Sequence, residues 1–136
     1  MDREKTGRKF QKELNSGAIS IVLLGLLSDS ARPMYGYEIA KQLESRSDDG
    51  LPMNQGALYP VLRSLEKQSL LNSQVQPSVS GPPRRYYTIT NDGREVLTLW
   101  MDTWQRTKRF VDSFLKVPNE SNTSAPGPKV SRIART

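Results

Sequence analysis

The 136-residue sequence predicts an α+β fold that is mostly α, a winged helix-turn-helix domain followed by a long C-terminal dimerisation helix. Three observations support this prediction. Three segments with helical spacing of apolar residues lie between residues 14 and 69. Two alternating segments follow them, joined by a Ser/Gly/Pro-rich loop that is typical of a hairpin. Apolar residues at heptad spacing then begin after Thr90, which predicts a helix that packs against a partner.

Composition restricts the function classes open to the chain. The formal net charge is +6, which favours nucleic acid or an anionic membrane surface as partner. The chain has no cysteine and no histidine, which excludes disulfides, zinc fingers, thiol nucleophiles and imidazole catalysis. The most apolar run, residues 18–27, is half the roughly 20 residues of a membrane span, and no signal peptide is recognised. We therefore expect no membrane partner and a cytoplasmic location.

Residues 1–13 are predicted to form a basic N-terminal arm. They carry five basic and three acidic side chains. Phe10 and Leu14 lie one helical turn apart, so part of the arm is expected to be helical, although a solvated terminus is an equal alternative for the first six residues. Asn15 or Ser16 is predicted to cap the first buried helix, which ends near Leu27.

Two further helices complete the helical part of residues 14–89, the predicted DNA-binding domain. The second is predicted to end at Asp48-Asp49-Gly50. Its residues at helical spacing on the inner face are Gly36, Ile39, Ala40 and Leu43. The third spans about residues 54–69, with Asn54 as its predicted cap and a buried stripe of Leu58, Val61, Leu62 and Leu65. Pro60 is expected to bend or loosen its first turn, because proline donates no backbone hydrogen bond.

The hairpin is predicted as a wing over about residues 71–89. Residues 71–76 and 84–89 alternate in polarity around a loop that contains Gly81-Pro82-Pro83. Alternation sets two faces in the second strand, one with Arg85, Tyr87 and Ile89 and the other with Arg84, Tyr86 and Thr88. At least one of Tyr86 and Tyr87 is expected to pack the hairpin onto the domain.

A long helix is predicted over residues 90–116, with Thr90 as its cap. Its heptad positions recur at intervals of three and four residues and are apolar except for Thr107: Leu97, Trp100, Trp104, Thr107, Val111 and Phe114. About 20 helical residues span roughly 30 Å, longer than the preceding domain is expected to cover, so the same helix of a second chain is the predicted partner. Residues 117–136 lack periodicity and are expected to be a disordered tail, whose three basic residues are either solvated or weak phosphate contacts.

Four segments together carry a resemblance to a known family. MYGYEIAKQLE, NQGALYPVLRSLEKQSLL, SGPPRRYYTIT and the NDGRE start of the last helix resemble the PadR family of bacterial transcriptional regulators over roughly residues 9–115. The resemblance implies a winged helix-turn-helix domain, a homodimer formed by the C-terminal helix, and binding to double-stranded operator DNA, usually as a repressor. Two positions depart from the family pattern. Many relatives have threonine where this chain has Ala57, a difference that affects base preference. Relatives often have proline where this chain has Asn91, at the start of the last helix.

The DNA-binding residues are predicted from the docking of helix-turn-helix domains, in which the second helix of the motif enters the major groove. Asparagine and glutamine pair with adenine, and arginine with guanine. The wing arginines are expected on the backbone or in a narrow minor groove. Helix capping is a competing role for Asn54, and plain solvation for Lys41. Tyr35, Lys41 and Tyr59 are assigned to phosphates. The full set of predicted contacts is Tyr35, Lys41, Asn54, Gln55, Tyr59, Arg63, Arg84 and Arg85.

The predicted dimerisation residues are Leu97, Trp100, Trp104, Val111 and Phe114. Trp100 and Trp104 have two interpretations, as hydrophobic anchors or as the walls of a pocket for a small aromatic effector. The second follows from the resemblance, because some PadR-like regulators respond to phenolic or drug-like compounds near this helix. No metal, cofactor or catalytic site is predicted: the acidic residues Glu38, Glu44, Asp48, Asp49 and Glu66 accompany neither a phosphate-binding loop nor a Rossmann turn. A winged helix used only for protein–protein contact is the alternative function.

Overall fold

The structure is a computed structural model that describes residues 1–46 and 55–116. Its elements are, in chain order, α1 (Arg3–Asp29), β1 (Met34–Tyr35), α2 (Gly36–Arg46), α3 (Gln55–Lys67), β2 (Leu71–Gln76), β3 (Arg84–Ile89) and α4 (Asn91–Leu115). The mostly helical winged helix-turn-helix fold is confirmed. The predicted break at residues 48–50, the cap at Asn54 and the tail over residues 117–136 lie outside the described residues.

The chain divides into two units, Met1–Met101 and Asp102–Thr136. The first unit contains α1, α2, α3, the sheet and the start of α4. In the second unit the described residues are helical from Asp102 to Leu115, where α4 ends. Within residues 1–46 and 55–116, every helix is too short or too polar to cross a membrane.

The first helix begins much earlier than predicted, so the cap at Asn15 or Ser16 is wrong. Asp2 is the N-cap, and its carboxylate accepts a hydrogen bond from the backbone N–H of Lys5 at 3.1 Å. An acidic residue there also interacts favourably with the positive end of the helix dipole. The Asn15 side chain lies inside the helix and accepts a bond from the Gln11 amide at 2.8 Å, one turn away.

The sheet is antiparallel with strand order β1-β3-β2 among the described residues. Strands β2 and β3 match the predicted hairpin and pair from Leu71 opposite Ile89 to Gln76 opposite Arg84. The first strand was not predicted. It pairs with β3 through Met34 opposite Tyr87, and leads directly into α2.

Side chains from α1, α2, α3 and the sheet form the core of the first unit. The residues without solvent exposure include three of the four predicted stripe residues of α3, whereas the fourth, Val61, is only partly buried: Leu23, Leu24, Ile39, Leu58, Leu62, Leu65 and Leu71. Tyr87 is the buried tyrosine of the hairpin and fastens β3 to this core. Helix α3 continues through Pro60, as predicted, with that ring exposed.

Helix α4 contributes to the same core with one side of its first turns. Val96, Leu97 and Trp100 are partly buried against it. The neighbouring Leu99 and Met101 are exposed. Part of the predicted heptad seam is therefore used within the chain.

Candidate nucleic-acid interface

Two stacked aromatic rings with a cation at each end form a row across β3, β1 and α2. The guanidinium carbon of Arg84 lies 4.4 Å from the ring centroid of Tyr35. The Tyr35 ring is stacked at 6.4 Å from that of Tyr37, and the Lys41 amine lies 5.7 Å from the Tyr37 centroid. We call Arg84, Tyr35, Tyr37 and Lys41 the cation–aromatic row. It places two cations and two phenol hydroxyls on one surface, which suits a chain of phosphates.

Tyr37 was missed by the sequence analysis. Its side chain is 48% exposed, so it is a surface residue. The available signal was its position two residues after Tyr35, which would place both side chains on one face of a continuous strand. However, β1 ends at Tyr35 and α2 begins at Gly36, so the strand pattern does not extend to Tyr37. Cation–π contacts of this kind contribute about 0.5–1 kcal/mol at exposed sites.

The start of α2 is held against β1 by an ion pair. Arg32 contacts both carboxylate oxygens of Glu38, at 2.7 and 3.2 Å, and the same carboxylate accepts the N–H of Tyr35 at 3.2 Å. The Arg32 guanidinium, followed by the Tyr35 N–H, holds the pKa of Glu38 below its usual range against the opposing effect of burial. The pair thus fixes Tyr35, and with it the centre of the cation–aromatic row.

Tyr59 packs its ring on the first residue of α2. A Cβ placed on Gly36 would clash with the Tyr59 ring and lie 3.0 Å from its hydroxyl oxygen. Glycine at position 36 therefore permits the close approach of α2 and α3. Tyr59 remains 36% exposed, so this packing is compatible with the predicted phosphate contact through its hydroxyl.

Arg63 is exposed on α3, one turn beyond Tyr59. The structure thus leaves the side chain of this predicted base contact accessible. Asn54 and the side chain of Gln55 lie outside the described residues, so their predicted base contacts stay predictions.

Arg85 lies on the other face of β3 from Arg84 and is joined to α3. Its guanidinium donates to the Ser73 hydroxyl oxygen at 2.8 Å, and that hydroxyl donates to the Glu66 carboxylate at 2.6 Å. Ser73 belongs to β2 and Glu66 to α3. The side chains thus form a link from the wing to α3 that the alternation of residues in β3 alone could not predict.

The wing loop is closed by the side chain of one serine. The Ser78 hydroxyl lies 2.9 Å from the carbonyl oxygens of both Gly81 and Pro82. Gly81 has φ of +108°, a conformation that L-residues with side chains rarely adopt. This compact loop leads directly into Arg84 and Arg85, the first two residues of β3, at the loop end of the wing.

Lys41, at one end of the cation–aromatic row, is held only weakly within the protein. Lys41 pairs with Glu44 at 3.7 Å, but both side chains are well exposed, and such pairs contribute little. Lys41 is therefore available to a phosphate. Burial raises the pKa of the Tyr87 phenol. Among the residues that the structure describes, no group of acidic side chains is arranged to hold a metal ion.

The predicted dimerisation residues fall into two environments. Leu97 and Trp100 lie partly buried against the core of the first unit. In the second unit Trp104 is 49% exposed and Phe114 is 71% exposed, and Val111 is exposed as well. Phe110 contacts Phe114 edge-to-face, with ring centroids 4.9 Å apart.

Comparisons with known proteins identify similar sequences and structures. Residues 23–99 match the model of the transcriptional regulator PadR-like family. A PadR-family transcriptional regulator from Eggerthella lenta DSM 2243 is 30% identical, with a TM-score of 0.72 over 85% of this chain and 96% of that one. A PadR-family regulator from Clostridium difficile R20291 is 32% identical, with a TM-score of 0.59 over 72% of this chain and 98% of that one. An uncharacterized protein of Lysinibacillus sphaericus is 26% identical over 78% of this chain and 95% of its own length.

Proposed function

The chain belongs to the PadR-like family of transcriptional regulators, and from this premise we propose that it is a homodimer that binds operator DNA and represses transcription. Regulation of transcription, rather than catalysis, is the established activity of the family. The observation that supports DNA binding most directly is the placement of exposed arginines on both surfaces that a winged helix-turn-helix domain presents to a duplex. Arg63 lies on α3, and Arg84 and Arg85 lie at the loop end of the wing.

In the proposed complex, α3 enters the major groove with its N-terminal half toward the base edges. Arg63 is assigned to guanine, and Asn54 and Gln55 to adenine, by the donor and acceptor patterns of those side chains. Tyr59 contacts a phosphate with its hydroxyl while its ring stays on Gly36. Ala57 has no hydroxyl, so base recognition depends on its neighbours.

The phosphate backbone is assigned to the cation–aromatic row and the wing. Tyr35 and Lys41 approach phosphates from one side of the sheet, together with Arg84. Arg85 points to the other face of β3, so the two wing arginines are assigned different partners, one on the backbone and one in the minor groove. The link from Arg85 through Ser73 to Glu66 supports this division, because it keeps the two guanidinium groups apart.

The dimer is proposed to form through α4. Trp104, Val111 and Phe114 offer exposed apolar surface at heptad spacing, and Leu97 and Trp100 follow the same spacing in the sequence. Exposed aromatic residues in such a series are typical of an interaction surface. A dimer presents two copies of α3, which predicts half-sites about one helical turn, roughly 34 Å, apart.

The decisive test is the salt dependence of binding to DNA selected from a random pool. If each chain neutralises roughly four phosphates, the dimer releases about seven counterions, and log K against log salt falls with a slope near −7. We expect a slope steeper than about −4. A flat dependence would contradict operator binding. A chain that stays dimeric but binds no duplex at low salt would favour the alternative of a protein–protein interaction module.

Aromatic effector binding is assigned to the same helix. Trp100 is partly buried in its own core, whereas Trp104 is half exposed, so Trp104 is the tryptophan open to a ligand or to the dimer partner. Titration with a panel of phenolic and planar aromatic compounds should quench the fluorescence of the wild type and of Trp100→Phe. It should have little effect on Trp104→Phe. Unchanged emission of the wild type across the panel would leave hydrophobic anchoring as the role of both residues.

A further inference from the structure

The start of α4 is bound directly to the turn that ends α3. The backbone N–H of Thr90 donates to the carbonyl oxygen of Leu70 at 3.1 Å, and the Thr90 hydroxyl donates to that of Ser69 at 2.8 Å. The same hydroxyl accepts the N–H of Gly93 at 2.9 Å. One side chain therefore caps α4 and ties it to the end of the proposed recognition helix.

The acceptors in this contact are themselves fixed to α3. Ser69 has φ of 66°, in the left-handed region, and its N–H donates to the carbonyl of Glu66 at 2.9 Å. The N–H of Leu70 donates to the carbonyl of Leu65 at 3.0 Å. This pattern satisfies the last carbonyls of a helix. The carbonyl oxygens that accept hydrogen bonds from Thr90 are consequently fixed relative to α3.

Two further residues close the contact from other directions. A Cβ on Gly93 would clash with the Leu70 carbonyl oxygen and lie 2.7 Å from a side-chain carbon of Ile89, so α4 sits directly on the backbone. Arg94 donates to the carbonyl and hydroxyl oxygens of Ser28, at 3.3 and 3.0 Å, in the last turn of α1. A cation is favourable at that end of a helix. We call Thr90, Gly93 and Arg94 the α4 joint.

We propose that the α4 joint determines which spacing of DNA half-sites the dimer accepts, with Thr90 and Arg94 as the specificity-determining positioning residues. This inference rests on the proposed function, in which α4 joins two chains and α3 reads the major groove. One base pair of added spacer moves a half-site by about 3.4 Å along the duplex and turns it by about 34°. A dimer can reject that change only if α3 resists rotation about α4. The Thr90 and Arg94 contacts oppose such rotation from two sides.

The test uses the full-length chain and duplexes rebuilt from the sequence that it selects out of a random pool. The spacer between half-sites is shortened or lengthened by one and two base pairs, and affinity is measured by fluorescence anisotropy. Thr90→Val and Arg94→Gln remove the joint's side-chain hydrogen bonds. Gly93→Ala is not used, because its methyl group would strain the backbone.

Matched controls come from α4 itself. Thr98→Val removes a hydroxyl that donates to the Arg94 carbonyl within the helix, at 3.3 Å. Arg106→Gln removes a cation that pairs with Asp102 in the same helix, at 2.9 Å. Thr90→Ser retains the joint hydroxyl and serves as the conservative replacement.

The wild type and both controls should lose about tenfold in affinity for each altered spacer, the scale of one mismatched base pair. Thr90→Val and Arg94→Gln should bind all spacers within about threefold, and Thr90→Ser should restore the preference. Affinity for a duplex with one half-site, and the dimeric state, should be unchanged, since α3 and the seam are not altered.

Three results would overturn the inference while leaving operator binding intact. The first is a wild type that binds all spacers equally, and the second is a pair of variants with the wild-type spacing preference. The third is that both variants also lose affinity for a duplex with one half-site. That result would show that the joint only stabilises the fold of the first unit. A wild type that binds no DNA would instead overturn the proposed function, and the inference with it.

Discussion

Gly93→Ala is expected to destabilise the first unit strongly, because α4 starts in contact with backbone. The nearest atom to the added methyl group is the Leu70 carbonyl oxygen, followed by a side-chain carbon of Ile89 at 2.7 Å. A side chain could rotate away, but this carbonyl cannot, since it also accepts the Thr90 N–H. Relief of the clash requires α4 to move and the Thr90 contacts to lengthen.

The size of the effect follows from the cost of overpacking. Forcing an extra methyl group into a packed site costs about 1–3 kcal/mol, and the rigid backbone neighbour places Gly93→Ala toward the upper end. For a folded region of about 100 residues, 2–3 kcal/mol lowers Tm by about 10 °C or more. Gly17→Ala is the matched control, because an added Cβ there has no neighbour within 4 Å. It replaces glycine inside α1 and should raise stability by up to about 1 kcal/mol.

Thermal unfolding followed by circular dichroism at 222 nm measures both variants, at several protein concentrations because association also shifts Tm. The expected order is Gly17→Ala above the wild type and Gly93→Ala well below it. A Gly93→Ala protein as stable as the wild type would refute the close packing of α4 on Leu70. It would also remove the physical basis of the α4 joint.

Three other predictions follow from the proposed interface. Arg84→Ala and Arg85→Ala should each reduce the slope of log K against log salt by up to about 1.8, because each removes two phosphate contacts per dimer. Sedimentation should be unchanged, and loss of the dimer would contradict the assignment of these arginines to DNA rather than to the dimer seam. Glu38→Gln should weaken the acid dependence of urea unfolding. The lowered pKa of Glu38 gives stability that is complete above about pH 4.3 and is lost as pH falls through the folded-state value, so an unaltered acid profile would contradict the ion pair. Phe114→Glu should yield monomers in sedimentation equilibrium while its exposed neighbour control, Ser113→Glu, stays dimeric; dimeric Phe114→Glu would argue against the seam.

Sequence periodicity predicted the elements that carry several repeats of their pattern. The stripe of α3 and the alternation of β2 and β3 are long enough to identify a helix and a hairpin. Strand β1 has only two residues, too few for alternation to appear, and it exists because β3 supplies its hydrogen bonds. The start of α1 was misplaced because Asn15 and Asp2 are both good caps, and the local sequence does not show which one lies at the true end.

The candidate site shows the same limit. Arg84 and Arg85 could be assigned to opposite faces from the sequence, since alternation alone decides that. Their neighbours could not be assigned, because Tyr35 and Ser73 reach them through strand pairing across large sequence separations. Of the residues in the α4 joint, the sequence analysis identified only Thr90, as the cap of α4. Its second role, as donor to the end of α3, depends on the backbone of Ser69, which no side-chain pattern encodes.

The α4 helix shows why a heptad pattern alone does not identify a dimer interface. A stripe that faces a helix's own domain and a seam that faces a second chain have the same spacing of three and four residues. Leu97 and Trp100 follow the pattern, yet the core of the first unit already buries part of them. Burial that is already achieved in the monomer contributes no free energy to association. In the proposed dimer, stability should therefore come mainly from the exposed members, Trp104, Val111 and Phe114, and substitutions there should affect association far more than stability of the first unit.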